Sequence, residues 1–194
     1  MRSVLVLASA SPRRSELLER AGVRFEVLPS DVDESVLPGE APRTYAARVA
    51  GAKAAAGRTQ RPDAWVLAAD TIVVVSDEIL GKPIDAADAA RMLGRLAGRR
   101  HTVMTATRLL GPDGATAERL VETEVVFRPL AAREIEGYVA GGEWRGKAGA
   151  YAAQGQAAAF ISEVHGSYTN VVGLPLAETL VDLERLGVAA PEYA

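Results

Sequence analysis

The sequence predicts an α/β fold, and three observations carry that expectation. Apolar runs of strand length alternate with segments of helical spacing along the whole chain. The opening run, Val4-Leu5-Val6-Leu7-Ala8, breaks through Ser9-Ala10-Ser11 directly into Pro12-Arg13-Arg14 and a helical stretch. Two later apolar segments meet across Gly111-Pro112-Asp113-Gly114, a strong turn signal. No internal repeat, low-complexity segment or linker interrupts the pattern, so residues 1–194 read as one α/β domain.

Each element follows from local chemistry. Residues 4–8 form the first strand, and Ser15-Glu16-Leu17-Leu18-Glu19-Arg20 reads as helix. Pro12 suits the first helical position, where its missing N–H is not needed, and Ser11 stands where an N-cap belongs. Phe25-Glu26-Val27-Leu28 reads as a second strand, followed by a polar loop holding Asp31, Asp33 and Glu34. Residues 41–59 are Ala-rich with few breakers and read as helix. Residues 64–75 form a long apolar strand. Residues 85–97 read as a helix capped by Asp85. Strands follow at 99–110 and 116–127, then a helix at 131–140. A Gly-rich connection leads to a strand near 157–163, a polar loop, and a last helix over 175–186.

Composition excludes several classes. The 194 residues are 48% apolar and 24% charged with a net charge of −3, which is neither a basic nucleic-acid face nor a polyanionic tail. Cysteine is absent, so disulfides and thiolate metal sites are excluded. The N-terminal apolar run is too short for a signal peptide and no run approaches a membrane span, so a cytoplasmic protein without membrane or nucleic-acid partners is expected. Nineteen of the 22 basic residues are Arg, and only Lys53, Lys82 and Lys147 are Lys. In so biased a chain, lysines that persist point to places where a compact charge serves better than a planar fork.

Five segments carry chemistry. The strand–loop–helix junction at 7–14 delivers Ser9, Ser11, Arg13 and Arg14 to a helix N-terminus, an anion site where Arg grips phosphate in bidentate fashion. Asp70 lies within Trp65-Val66-Leu67-Ala68-Ala69-Asp70-Thr71-Ile72-Val73, where a carboxylate is costly unless paired, hydrogen-bonded or metal-bound. Alternation puts Ala68, Asp70 and Ile72 on one face and Ala69 and Thr71 on the other, with Asp70 and Thr71 expected near the strand's end or at a bulge. Gly81-Lys82-Pro83 is not a Walker A loop, yet it holds Lys82 on a rigid bend. Lys147-Ala148-Gly149-Ala150-Tyr151 and the following Ala152-Ala153-Gln154-Gly155 are built of small residues that let backbone approach a ligand. Gly166-Ser167-Tyr168-Thr169-Asn170 is a polar loop before the last helix.

Together these segments resemble the Maf family of nucleoside triphosphate pyrophosphatases. The likeness covers L-A-S-x-S-P-R-R at 7–14, the acidic pair at 33–34, K-A at 53–54, A-D-T-I-V at 69–73 and G-K-P at 81–83. It continues through H-x-V-x-T at 101–105, K-A-G-A-Y at 147–151 and N-V-V-G-L-P-L at 170–176, and all three lysines fall inside it. The resemblance implies an elongated mixed β-sheet with flanking helices and two lobes around a deep cleft. It also implies hydrolysis of a nucleoside triphosphate to monophosphate and pyrophosphate with Mg²⁺ or Mn²⁺, and it admits a homodimer. Glu34 and Asp70 would bind the metal, with Asp70 as general base or chiefly as ligand, and Lys82 would join them in catalysis. Ser9, Ser11, Arg13, Arg14, Lys53 and Lys147 would hold the triphosphate.

Base choice would rest on Gln154, and Arg13 and Thr71 also match positions that the resemblance links to substrate choice. A side-chain amide offers an acceptor beside a donor and so matches the imide edge of uracil or thymine, whereas Glu would suit guanine. Q-G at 154–155 resembles the dTTP/UTP subgroup, with 5-modified uridine triphosphates as further substrates. Two alternatives stand beside this reading: a pyrophosphatase for modified purine triphosphates such as 7-methyl-GTP, and a non-catalytic nucleotide-binding regulator of septum formation, since the family is associated with arrest of cell division. The chain departs from the family at Gly146, where Asp is usual. His101 is read as a hydrogen-bonded strand residue, His165 as surface, and Trp65 and Trp144 as packing residues.

Overall fold

A computed structural model describes residues 4–188. It is a mixed α/β structure: strands β1 (Leu5–Leu7), β2 (Glu26–Val27), β3 (Trp65–Val75), β4 (Glu78–Leu80), β5 (Arg100–Leu110), β6 (Thr116–Phe127) and β7 (Ile161–His165) form one sheet in the order β2-β1-β3-β5-β6-β7, with β4 paired to β3. The helices are α1 (Pro12–Arg20), α2 (Pro42–Gln60), α3 (Ala86–Leu96), α4 (Ala132–Gly141), α5 (Tyr168–Val172) and α6 (Leu176–Arg185). β1 runs parallel to β2 and to β3, pairing Leu5 with Trp65 and Leu7 with Leu67, while β4 and β7 are antiparallel to β3 and β6. No described helix is long and apolar enough to cross a membrane.

The described residues divide into two compact units, the first comprising residues 4–70, 105–121 and 173–188, the second residues 71–104 and 122–172. In the first, α2 lies close on the sheet because its inward stripe is small. Ala46, Ala50, Ala54 and Gly57 are buried, and a Cβ on Gly57 would stand 2.9 Å from Val66 and 3.1 Å from Ala8. Val6, Ala8, Val66, Ala68 and Ala54 form the core between them. α6 is fastened by a bidentate pair, Arg119 donating to the buried Asp182 at 2.7 and 2.8 Å. In the second unit, Leu80, Met92, Leu93, Leu96, Val125, Phe127, Tyr151 and Phe160 build a separate apolar core.

Most expected elements stand within a residue or two of their observed bounds, and the differences have physical reasons. β4 was not expected: it closes a hairpin through Ser76 and Asp77, both at positive φ (48° and 63°), a two-residue turn usually signalled by Asn-Gly or Asp-Gly. The strand expected at 157–163 begins only at Ile161, because Gln156–Phe160 winds into a 3-10 turn that buries Ala157 and Phe160. Within the expected polar loop, α5 forms after Ser167, whose hydroxyl accepts from the Asn170 amide at 3.2 Å. Asp85 caps α3 as expected, its carboxylate accepting from Asp88 N at 2.7 Å. Ser11 occupies the N-cap position of α1 and its side chain makes no cap bond there.

Candidate active site

The first unit gathers most of the expected phosphate and metal residues. β1 ends at Leu7, and buried Ser9 follows; its hydroxyl accepts from Ser11 N at 3.2 Å and from Arg14 Nη1 at 2.9 Å. Arg14 also donates through Nε to Gly173 O at 2.8 Å. Its guanidinium is therefore a buried brace that ties the β1–α1 junction to the segment before α6. Burial lowers its pKa to about 10, against the favourable charges of Asp70 and Glu34. Arg13, half-buried on the first turn of α1, is also lowered by burial, and Glu16 opposes that shift.

Asp70 sits in the middle of β3, not near its end. It is buried, and it shares the strand face of Val66 and Ala68, the residues that pack against α2. That placement decides its partner. Lys53, twelve residues before the start of β3 and buried on α2, extends its ammonium to Asp70 Oδ1 at 2.7 Å and to Glu34 Oε1 at 2.8 Å. The Asp70 side chain is 7% exposed and that of Glu34 is 36% exposed, so one carboxylate faces the interior and the other reaches toward solvent. A single point between two carboxylates is thus already a cation site, with the lysine nitrogen as the cation. Hard dications take carboxylate oxygens and complete their shell with water and phosphate, so the donors suit Mg²⁺ or Mn²⁺. Among the described residues no cluster of three or more His, Asp or Glu forms a cage.

Sequence reasoning missed Tyr45 and Arg48. Tyr45 donates its hydroxyl to Glu34 O at 2.7 Å, and Arg48 donates to Ser35 O at 2.8 Å. Burial and the negative charges of Asp70 and Glu34 raise the Tyr45 pKa to about 12, which keeps the hydroxyl a donor. The only signal available in the sequence was spacing: Tyr45, Val49 and Lys53 recur every four residues along one helical face.

The other expected residues belong to the second unit. Thr71 is half-buried on β3, and Lys82 is exposed on the turn after β4. The Lys82 turn is tied to the Lys147 segment through Gly149 N, which donates to Gly81 O at 3.1 Å. Gly149 (φ 65°) needs to be glycine, since a Cβ there would stand 2.8 Å from Val73. Lys147 is half-buried, with Nζ 3.4 Å from Arg145 O, and Gly146 at φ 67° supplies a left-handed turn before it. Tyr151, which ends this segment, is buried with its hydroxyl 2.9 Å from His101 Nε2. Burial holds the His101 pKa down at about 4. Gln154 is exposed on the following turn, and His165 is exposed beside Glu163.

Residues 4–186 match the family described as Maf-like protein. This chain belongs to the Maf-like family. The dTTP/UTP pyrophosphatase of Geobacter sulfurreducens is 52% identical to this Maf-like protein over 185 residues, covering 94% of this chain and 96% of the relative. A protein of the same name from Anaeromyxobacter dehalogenans is 54% identical over 190 residues, 96% of each chain. A solved nucleoside-triphosphatase / dITP/XTP pyrophosphatase from Mycobacterium abscessus aligns with a TM-score of 0.43 and 21% identity, over 63% of this chain and 72% of that one.

Proposed function

We propose that this Maf-like protein hydrolyses dTTP and UTP, with 5-modified uridine triphosphates as further substrates, to the monophosphate and pyrophosphate. The observation that carries the reading is the Lys53 ammonium shared by Glu34 and Asp70, in the same unit as the Arg13–Arg14 junction. Relatives of that name, about half identical over nearly the whole length, support the substrate class.

In this reading water attacks the α-phosphorus, the α–β anhydride bond breaks, and pyrophosphate leaves with the electron pair of the bridging oxygen. Asp70 accepts the water's proton; a carboxylate set rigidly in mid-strand loses no freedom in reaching it. Glu34 and Asp70 are the residues that would hold Mg²⁺ or Mn²⁺, which supplies charge neutralisation at the phosphate oxygens. Lys53 and Arg13 bind phosphate oxygens, the main-chain amides near Ser11 add hydrogen bonds, and Arg14 holds Ser9 in place while adding positive charge. Lys82 and Lys147 are assigned to the triphosphate, and Thr71 and Gln154 to the pyrimidine, the Gln154 amide matching its imide edge.

The test is pyrophosphate release from dTTP, UTP, CTP, GTP, ITP and 7-methyl-GTP, with Mg²⁺ or Mn²⁺ and with EDTA. Metal-dependent release confined largely to dTTP and UTP is expected. Release mainly from a purine nucleotide would overturn the role of Gln154, and no release from any nucleotide would overturn the activity.

A further inference from the structure

We propose that Tyr45 and Arg48, with Glu40, form a brace that positions Glu34 for metal binding; the inference rests on Glu34 being a metal-holding residue. The reason lies in the segment that carries Glu34. From Ser35 to Gly39 every residue is exposed, including Val36 and Leu37 at 50% each, so no fully buried apolar side chain anchors this stretch. Segments without buried apolar contacts open at little cost. Polar tethers must therefore set where Glu34 sits.

Asp33 holds Ser35 locally, its carboxylate accepting from the Ser35 amide at 2.8 Å and from the Ser35 hydroxyl, and two further tethers come from α2. Tyr45 holds the main-chain oxygen of Glu34 itself, and Arg48 Nη2 holds that of Ser35, so two successive carbonyls are pinned from one helix. Arg48 is itself fixed. It donates Nε to Glu40 Oε1 at 2.6 Å and Nη2 to Glu40 Oε2 at 2.8 Å, and its guanidinium lies 5.4 Å from the Tyr45 ring centroid. The Glu40 side chain is only 5% exposed, and it also accepts from Leu37 N at 3.1 Å. The loop is thereby closed on itself and on the helix.

The helix that holds the loop also carries Lys53, two turns beyond Tyr45. One rigid element thus sets both the ammonium and the backbone of the carboxylate opposite it. Asp70 needs no such device, because the sheet fixes it. Tyr45 and Arg48 touch no reacting atom in this arrangement and are positioning residues. Outer partners of this kind typically cost about tenfold or more in metal affinity when removed.

The experiment titrates Mn²⁺ alone into nucleotide-free protein, read by electron paramagnetic resonance, for wild type, Tyr45→Phe, Arg48→Ala and Arg48→Lys. Hydrogen exchange of residues 35–37 and the metal dependence of pyrophosphate release from dTTP accompany it. Tyr45→Phe and Arg48→Ala are each expected to weaken Mn²⁺ binding about tenfold. The metal concentration for half-maximal turnover should rise by the same factor, exchange at 35–37 should quicken, and KM for dTTP at saturating metal should stay within about twofold. Arg48→Lys, which keeps the charge and loses the fork, should fall between wild type and Arg48→Ala.

Mn²⁺ titrations that superimpose on wild type would overturn the brace, and so would losses that track only the fraction of unfolded protein. Should Arg48→Ala fail to fold, Tyr45→Phe removes a single oxygen and carries the test. A wild type that releases no pyrophosphate overturns the proposed activity instead, because Mn²⁺ binding and hydrogen exchange report on the brace without turnover.

Discussion

Lys53 holds two carboxylates at once, and its removal should expose what that arrangement costs. With Lys53→Met, Asp70 is left buried in mid-strand without its ion-pair partner, and breaking a buried pair from one side typically destabilises a protein by about 3–5 kcal/mol. The melting temperature should drop by several degrees, and the double variant Lys53→Met/Asp70→Asn should recover most of it, because the amide needs no ion. Equal losses in the single and double variants would show that the pair is not coupled. The single change Asp70→Asn separates chemistry from binding: turnover should vanish while equilibrium binding of dTTP persists. Turnover unchanged by Asp70→Asn would sink the general-base assignment.

α2 is placed by what it lacks. Gly57 costs helix propensity, about 1 kcal/mol against Ala, yet it stands where a methyl would press on Val66 and Ala8. Gly57→Ala should therefore destabilise by about 1–2 kcal/mol despite the better helix former, since overpacking outweighs propensity. Chemical denaturation gives the sign directly; a stabilised variant would mean the helix can move outward without penalty. The same displacement would draw Lys53 from Asp70, so kcat should fall along with stability. The Lys147 segment obeys a similar rule in the second unit. Gly149 lies over Val73 at a φ of 65°, and its amide secures the Lys82 turn, so small size and left-handed backbone are both required there.

The whole molecule should lose stability in acid, and His101 supplies a defined part of the loss. Its pKa lies at about 4 in the folded protein, against 6.5 ordinarily, because burial disfavours the charged ring. The unfolded chain therefore binds more protons between pH 6.5 and 4, and stability must fall as pH falls through that window. A shift of this size corresponds to about 3 kcal/mol once pH reaches 4. Melting curves of wild type and His101→Gln from pH 7 to 4 check this. The variant keeps a hydrogen-bonding side chain and does not titrate there, so its pH dependence should be flatter by about that amount. Parallel curves would assign the acid sensitivity elsewhere.

Much of this protein was legible in its residues because the signals are local. Pro12 opening α1, Asp85 capping α3, the Gly111–Gly114 turn and the long apolar run of β3 each report their own backbone, and periodicity alone orders strands and helices. The chemistry-bearing residues were legible too, since an aspartate in an apolar strand and three lysines in an arginine-rich chain are conspicuous without coordinates. β4 and the 3-10 turn before β7 were not legible, because a Ser-Asp hairpin and an Ala-rich stretch carry weak local preferences that packing overrides. Partnership lay furthest from the sequence. That Lys53 meets both Glu34 and Asp70, that Arg14 is spent on Ser9 and Gly173, and that Tyr45 and Arg48 hold a loop without fully buried apolar anchors are contacts between distant segments. Spacing along a chain specifies which face of an element a residue occupies; only the docking of one face on another specifies what it touches.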